Sequence, residues 1–137
     1  MIIYNATKSK FLSDILSNDI ENIVLEQFTL KTGHRVPKNE LSSWKNSLQS
    51  VNNVLADEHI PGDTGVFVEY HIQQTAKRVD LLLSGLGDRN ARNVILVELK
   101  QWSEAEVTDM DGVVVTRFQG GLQEVSHPSY QAWSYAS

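Results

Sequence analysis

Apolar and polar positions follow two different rhythms along this chain, and the change falls near residue 60. From Ser9 to Lys31, Leu12, Ile15, Leu16, Ile20, Ile23, Val24 and Phe28 recur close to helical spacing, which predicts helix. Asn18-Asp19 can restart that helix as a cap, and Gly33 is its stop. Lys31 to Lys38 contains Gly33 and Pro37 and is expected to be a loop. A second helix is expected from near Asn39. There Leu41, Trp44, Leu48, Val51 and Leu55 follow at steps of three or four and make one apolar stripe. The turn signal Ile60-Pro61-Gly62-Asp63 ends it.

Beyond residue 60 the period shortens. Val66 to Ile72 is rich in β-branched and aromatic residues and predicts a strand. Arg78 to Ser84 and Val94 to Lys100 predict two more, and their nearly continuous apolar character predicts burial on both faces. Gly85 to Asn93 is a polar, Gly-containing link, so these two should form an antiparallel pair. Gln101 to Asp111 is acidic and expected at the surface. Gly112 to Phe118 predicts a further strand, and Gly120-Gly121 a turn. Ser126-His127-Pro128-Ser129 opens a helix, with Pro in the first turn, that runs through Tyr130 to Ala136.

The expected class is therefore α/β, of the α+β kind. A mainly helical part (1–60) is followed by a mixed, largely antiparallel central sheet and a closing helix (64–137), in one domain spanning 1–137. Because the sequence stops inside that last helix, we expect the chain to be the N-terminal piece of a longer protein.

Composition narrows the classes further. A chain of 137 residues, 41% of them hydrophobic, can bury one core of its own. With no cysteine there is no disulfide frame, thiolate zinc site or cysteine nucleophile, which fits a reducing compartment. No apolar run is long enough to cross a bilayer. Met1-Ile2-Ile3-Tyr4 lacks the basic and long apolar segments of a signal peptide. A cytoplasmic protein with no membrane partner is expected. The net charge of -5 argues mildly against a dedicated nucleic-acid binder. Lys77, Arg78, Arg89, Arg92, Lys100 and Arg117 nevertheless fall in the half of the chain that carries the candidate chemistry.

That chemistry starts at Val94-Ile95-Leu96-Val97-Glu98-Leu99-Lys100. Within a strand, residues two apart share a face, so Glu98 and Lys100 would project side by side from the end of a buried run. Charges held there are costly unless paired or bound to a metal. Asp80 supplies a second carboxylate on the preceding apolar run. If the hairpin is centred on Arg89, residue 80 lies opposite residue 98, with Cβ atoms ~5 Å apart. A one-residue slip would put Asp80 on the wrong face. Two carboxylates so close repel, and a divalent cation offsets this. Mg²⁺ takes oxygen ligands and commonly uses only one or two carboxylates, so Asp80, Glu98 and the Leu99 carbonyl are the candidate ligands. Lys100 could orient the attacking water or stabilise charge on a phosphate.

Asp80 followed by Glu98-Leu99-Lys100 resembles the PD-(D/E)xK nuclease superfamily, with Val79 standing where the motif has Pro. Gln131-Ala132-Trp133-Ser134-Tyr135 resembles the Q-x-x-x-Y helix motif of its RecB-type members, and the order of the three elements agrees. The resemblance implies a restriction-endonuclease-like core and a Mg²⁺- or Mn²⁺-dependent deoxyribonuclease, with DNA as partner and RNA as the other possibility. It also implies catalytic roles for Asp80, Glu98, Lys100 and Gln131, with Gln131 approaching the metal and Tyr135 packed beside it. The longer string Lys100-Gln101-Trp102-Ser103 and His127 to Trp133 is similar to a narrower bacterial group. In that group a nuclease-like domain precedes a P-loop helicase region of Schlafen-like type. A downstream ATPase in the same polypeptide is implied, though no Walker A sequence occurs here.

Each residue also has an ordinary role. Asp80, Glu98 and Lys100 could form a structural ion-pair cluster. Glu40 suits the start of its helix as well as it suits a metal. Glu69 could be a further acid of the site or an outward-facing strand residue. Trp102 could stack on a base or cover the core edge. Lys77, Arg78, Arg117 and Tyr135 are candidate nucleic-acid contacts beside their default as solvated or packing groups. The competing function is a catalytically inactive nuclease-fold module that binds nucleic acid or docks onto a partner ATPase.

Overall fold

The computed structural model describes residues 1–17, 19–71 and 78–136, the side chains of Tyr70, His71 and Asp88 aside. The expected cap residue Asn18, the strand end at Ile72 and the candidate contact Lys77 lie outside the described residues. The chain is of the mixed α+β class expected, with four helices and two antiparallel sheets among the described residues. It divides into two compact units, Met1–Val97 and Glu98–Ser137. No helix among the described residues is long and apolar enough to cross a membrane.

The first unit opens with a strand, β1 (Ile2–Thr7), where the helical rhythm of the first half predicts none. Its short apolar run has its partner some sixty residues on, in β2 (Gly65–His71), with Tyr4 opposite Val68 and Ala6 opposite Val66. Local periodicity carries no trace of such a pairing. The long helical pattern then divides into α1 (Lys8–Leu16) and α2 (Ile20–Thr32). The Thr7 hydroxyl caps α1 by accepting the Lys10 amide at 3.3 Å, and Phe11 and Ile15 bury its inner face. Lys8 is buried too. Its ammonium donates to the Asp57 carbonyl at 2.7 Å and the Ile60 carbonyl at 2.6 Å, which ties the start of α1 to the turn before β2.

Gly33 ends α2 as expected, in the left-handed region at φ 69, its amide donating to the Thr29 carbonyl at 2.9 Å. A Cβ there would meet open space. Gly33→Ala should therefore cost only backbone strain, about 1 kcal/mol. Urea unfolding checks this, and an unchanged midpoint would contradict it. The stripe on α3 (Lys38–Leu55) is borne out at Trp44, Leu48, Val51 and Leu55, all buried.

The sheet of this unit runs β1-β2-β3-β4, all antiparallel, with β3 (Arg78–Leu86) and β4 (Arg92–Val97) joined through a short 3₁₀ turn at Asp88–Asn90. Leu81 stands opposite Val97 and Leu82 opposite Leu96, the register that a hairpin centred on Arg89 requires. Two expectations are corrected. The strand ends at Val97, so Glu98, Leu99 and Lys100 lie beyond it rather than in it. And β4 is not buried on both faces. Among the described residues it pairs with β3 alone, and Val94 and Ile95, which point to opposite faces, are 60% and 59% exposed. An apolar run reads the same whether the strand is central or at an edge.

The second unit is a three-stranded antiparallel sheet, β5 (Ala105–Val107), β6 (Val113–Phe118) and β7 (Gly121–Ser126), followed by α4 (Pro128–Ala136). The expected strand, turn and closing helix are present. β5 inside the acidic segment and β7 before the helix are additions to the expected elements. β5 is short and exposed along its length, so it carries no apolar alternation to read. Alternate residues of β6, Val114 and Thr116, are buried, and Thr116 donates its hydroxyl to the Glu104 carbonyl at 2.7 Å. The Tyr130 ring lies over Gly112, where a Cβ would come within 2.9 Å of it and φ is +70.

Candidate functional site

In the first unit the candidate acids gather around one arginine. Val68 opposite Leu81 and Tyr70 opposite Val79 set Glu69 and Asp80 at facing positions of β2 and β3. Glu69 is 3% exposed and holds φ 55 in mid-strand, a conformation that costs a non-glycine residue of order 1–3 kcal/mol. Two groups hold its side chain in place, and one of them is tied in turn to Glu40. The Trp44 indole N–H on α3 donates to Oε1 at 2.9 Å, the Arg78 Nε lies 3.0 Å from Oε2, and Arg78 in turn donates to Glu40 Oε1 at 3.0 Å. Trp44 is itself braced by Phe28, ring centroids 5.5 Å apart.

The electrostatics follow from that packing. Burial pushes the Glu69 carboxyl up to about 7, and Asp80 and Glu40 push the same way. Arg78 and the Trp44 hydrogen bond hold it back. Burial works against the charge on Arg78 as well, but Glu69, Glu40 and Asp80 hold its pKa above the ordinary value. The guanidinium expected as a phosphate contact is thus spent on two carboxylates of its own unit. Arg117 is engaged likewise, its Nε donating to Glu104 Oε1 at 2.6 Å.

In the second unit, Glu98 and Lys100 meet although both lie past the strand. The Lys100 ammonium sits 2.6 Å from Glu98 Oε1, and the Glu98 side chain is almost wholly buried. Lys100, Trp102 and Gln131 line one open cavity together with Phe118 and Glu124. Gln131 and Tyr135 are one helical turn apart, and the Gln131 amide donates to the Tyr135 hydroxyl at 2.6 Å. Phe118 and Glu124 are among the lining residues that the motifs do not single out. Both stand on strand positions near the Gly120-Gly121 turn, and only the folding of β6 against β7 brings them to the cavity.

No family model, curated protein or solved structure matches this chain.

Carboxylates and a backbone carbonyl are hard oxygen donors, the kind that suits Mg²⁺ or Mn²⁺. Among the described residues no three His, Asp or Glu side chains converge as a metal-binding group.

Proposed function

We propose that this chain is a metal-dependent nuclease domain with a restriction-endonuclease-like core, hydrolysing phosphodiester bonds in DNA. The observation that carries it is the convergence of Lys100 and Gln131, thirty-one positions apart, on one cavity, with Glu98 locked to Lys100. The observed β3–β4 register, in which Asp80 is the residue preceding the Leu81–Val97 pair, supports the same assignment. In this proposal Asp80, Glu98 and the Leu99 carbonyl are the ligands that the resemblance implies, and they would hold Mg²⁺ or Mn²⁺. When bound there, such a cation would supply Lewis acidity toward the phosphate and lower the pKa of its water. The Lys100 ammonium, steadied by Glu98, donates to the attacking water or to the phosphate oxygen on which charge develops. Gln131, its amide nitrogen held by Tyr135, orients the same water. Arg78, two residues away on the same strand, and Glu69, on the neighbouring strand, position Asp80. The domain would act beside a P-loop ATPase of the same polypeptide.

The test is cleavage of labelled single- and double-stranded DNA with Mg²⁺ or Mn²⁺. Wild type should cleave, and Asp80→Ala should fall to background. Equal cleavage by both would sink the assignment. Binding without cleavage would favour an inactive nuclease-fold module.

A further inference from the structure

The cavity of the second unit carries more than its lysine and glutamine. It measures about 650 Å³, within the size range of small-molecule sites. Two of its walls are aromatic. Val114 and Thr116 bury one face of β6, and Phe118, the next residue on that face, emerges 42% exposed. Trp102 reaches the same cavity from the segment after Lys100 and is half-buried. Of the other polar lining residues, Lys100 donates, the Ser126 hydroxyl can donate or accept, and two supply acceptors. The Glu124 carboxylate accepts only, and Gln131, with its amide nitrogen on Tyr135, offers its oxygen.

Charge decides what such a cavity can hold. The unit carries six acidic residues against two basic ones, Lys100 and Arg117, and both of these are ion-paired. That balance disfavours a groove that tracks a phosphate backbone, whose affinity comes from lysine and arginine. Stacking of a base on aromatic rings has no such requirement, because every base has a π-face. Acceptors beside the rings match the exocyclic amine of cytosine, which thymine lacks.

We propose that the cavity lined by Lys100, Trp102, Phe118, Glu124 and Gln131 takes an unpaired nucleobase, with cytosine preferred over thymine, so that the substrate strand is presented single. This rests on the nuclease proposal for its place beside Lys100, but it is tested by binding alone. The full chain is titrated in EDTA against labelled oligodeoxycytidylate, oligodeoxythymidylate and a duplex, read by fluorescence anisotropy.

The cytidylate should bind tightest and the duplex weakest, and Phe118→Ala should weaken cytidylate binding about tenfold, the scale of one lost stacking contact. Trp102→Ala should weaken it comparably while Trp102→Phe retains it. Glu124→Ala, an exposed change, should abolish the preference for cytosine. Wild-type affinity in both Phe118→Ala and Trp102→Ala, or duplex bound as well as single strand, would overturn the base site. Metal-dependent cleavage could persist in that case and leave the nuclease proposal standing. Base-selective binding with no cleavage would be the reverse result.

Discussion

Arg78→Met is expected to lower the stability of the protein by about 2 kcal/mol near pH 8, less than breaking a fully buried ion pair because the arginine side chain is 40% exposed. Glu69 is the reason. Its carboxylate is buried on β2, and the guanidinium 3.0 Å away is the charge that holds it ionised there. Without Arg78 the same carboxylate would face Asp80 and Glu40, both of which already oppose its charge. The protein then either keeps an uncompensated buried anion or takes up a proton, and proton uptake limits the loss. The deficit should therefore shrink toward pH 5, where Glu69 is neutral in either protein. Adding Glu69→Gln to Arg78→Met should recover most of the lost stability, because the amide carries no charge and can still accept from Trp44. Urea unfolding of the two single variants and the double variant measures this. An Arg78→Met protein within about 0.5 kcal/mol of wild type at pH 8, the range of ordinary surface substitutions, would show that the pair does not hold the sheet together. The contact of Arg78 with Glu40 is half-exposed and adds little.

Stability should also fall as pH rises from about 5 to about 8, with Glu69 as the chief cause. An ordinary glutamate, as in the unfolded chain, titrates near 4.5, and in the folded protein Glu69 titrates at about 7. Between those values the folded state holds a proton that the unfolded state has released. Stability then declines with rising pH across that window and levels off above it. A difference of this size corresponds to a change on the order of 3 kcal/mol, at 1.36 kcal/mol per pH unit. Glu21 and Asp57 have lowered pKa values, so their contributions change below that window and with the opposite sign. Unfolding midpoints for wild type and Glu69→Gln across the range separate the cases. The wild-type curve should slope downward while that of the variant stays flat. Parallel curves would remove Glu69 from the account.

Both expectations come from a cluster of which the sequence showed only part. Glu69 could be picked out as an acid on a strand, and Asp80 as an acid on the next. Their facing positions follow from the β2–β3 pairing. The Trp44 indole was legible only as one member of an apolar stripe. Its bond to a carboxylate 25 residues away depends on how α3 lies on the sheet, and helical spacing says nothing about that. In the sequence Arg78 stands only as a solvated or phosphate-facing charge, because a single sequence does not show which side chains surround it.

The β3–β4 register was the most legible feature, since a symmetric loop about Arg89 fixes which residues oppose. Where the strand stopped was less legible. Nothing in Val97-Glu98-Leu99-Lys100 marks the last ladder bond, yet Glu98 and Lys100 still meet beyond it. β1 and β7 went unseen for opposite reasons. The partner of β1 is far along the chain, and the burial of β7 does not alternate cleanly enough to stand out.

The edge of the first sheet at β4, unpaired by any strand among the described residues, has a practical cost. A strand that exposes apolar side chains on both faces, as β4 does at Val94 and Ile95, is a template on which another molecule's backbone can add. At neutral pH the net charge of -5 keeps copies apart by mutual repulsion. The isoelectric point is near 5.3, so acidification removes that repulsion over the same interval in which protonated Glu69 strengthens the fold. The conditions that make each molecule hardest to unfold are thus the ones in which a concentrated solution is most ready to precipitate.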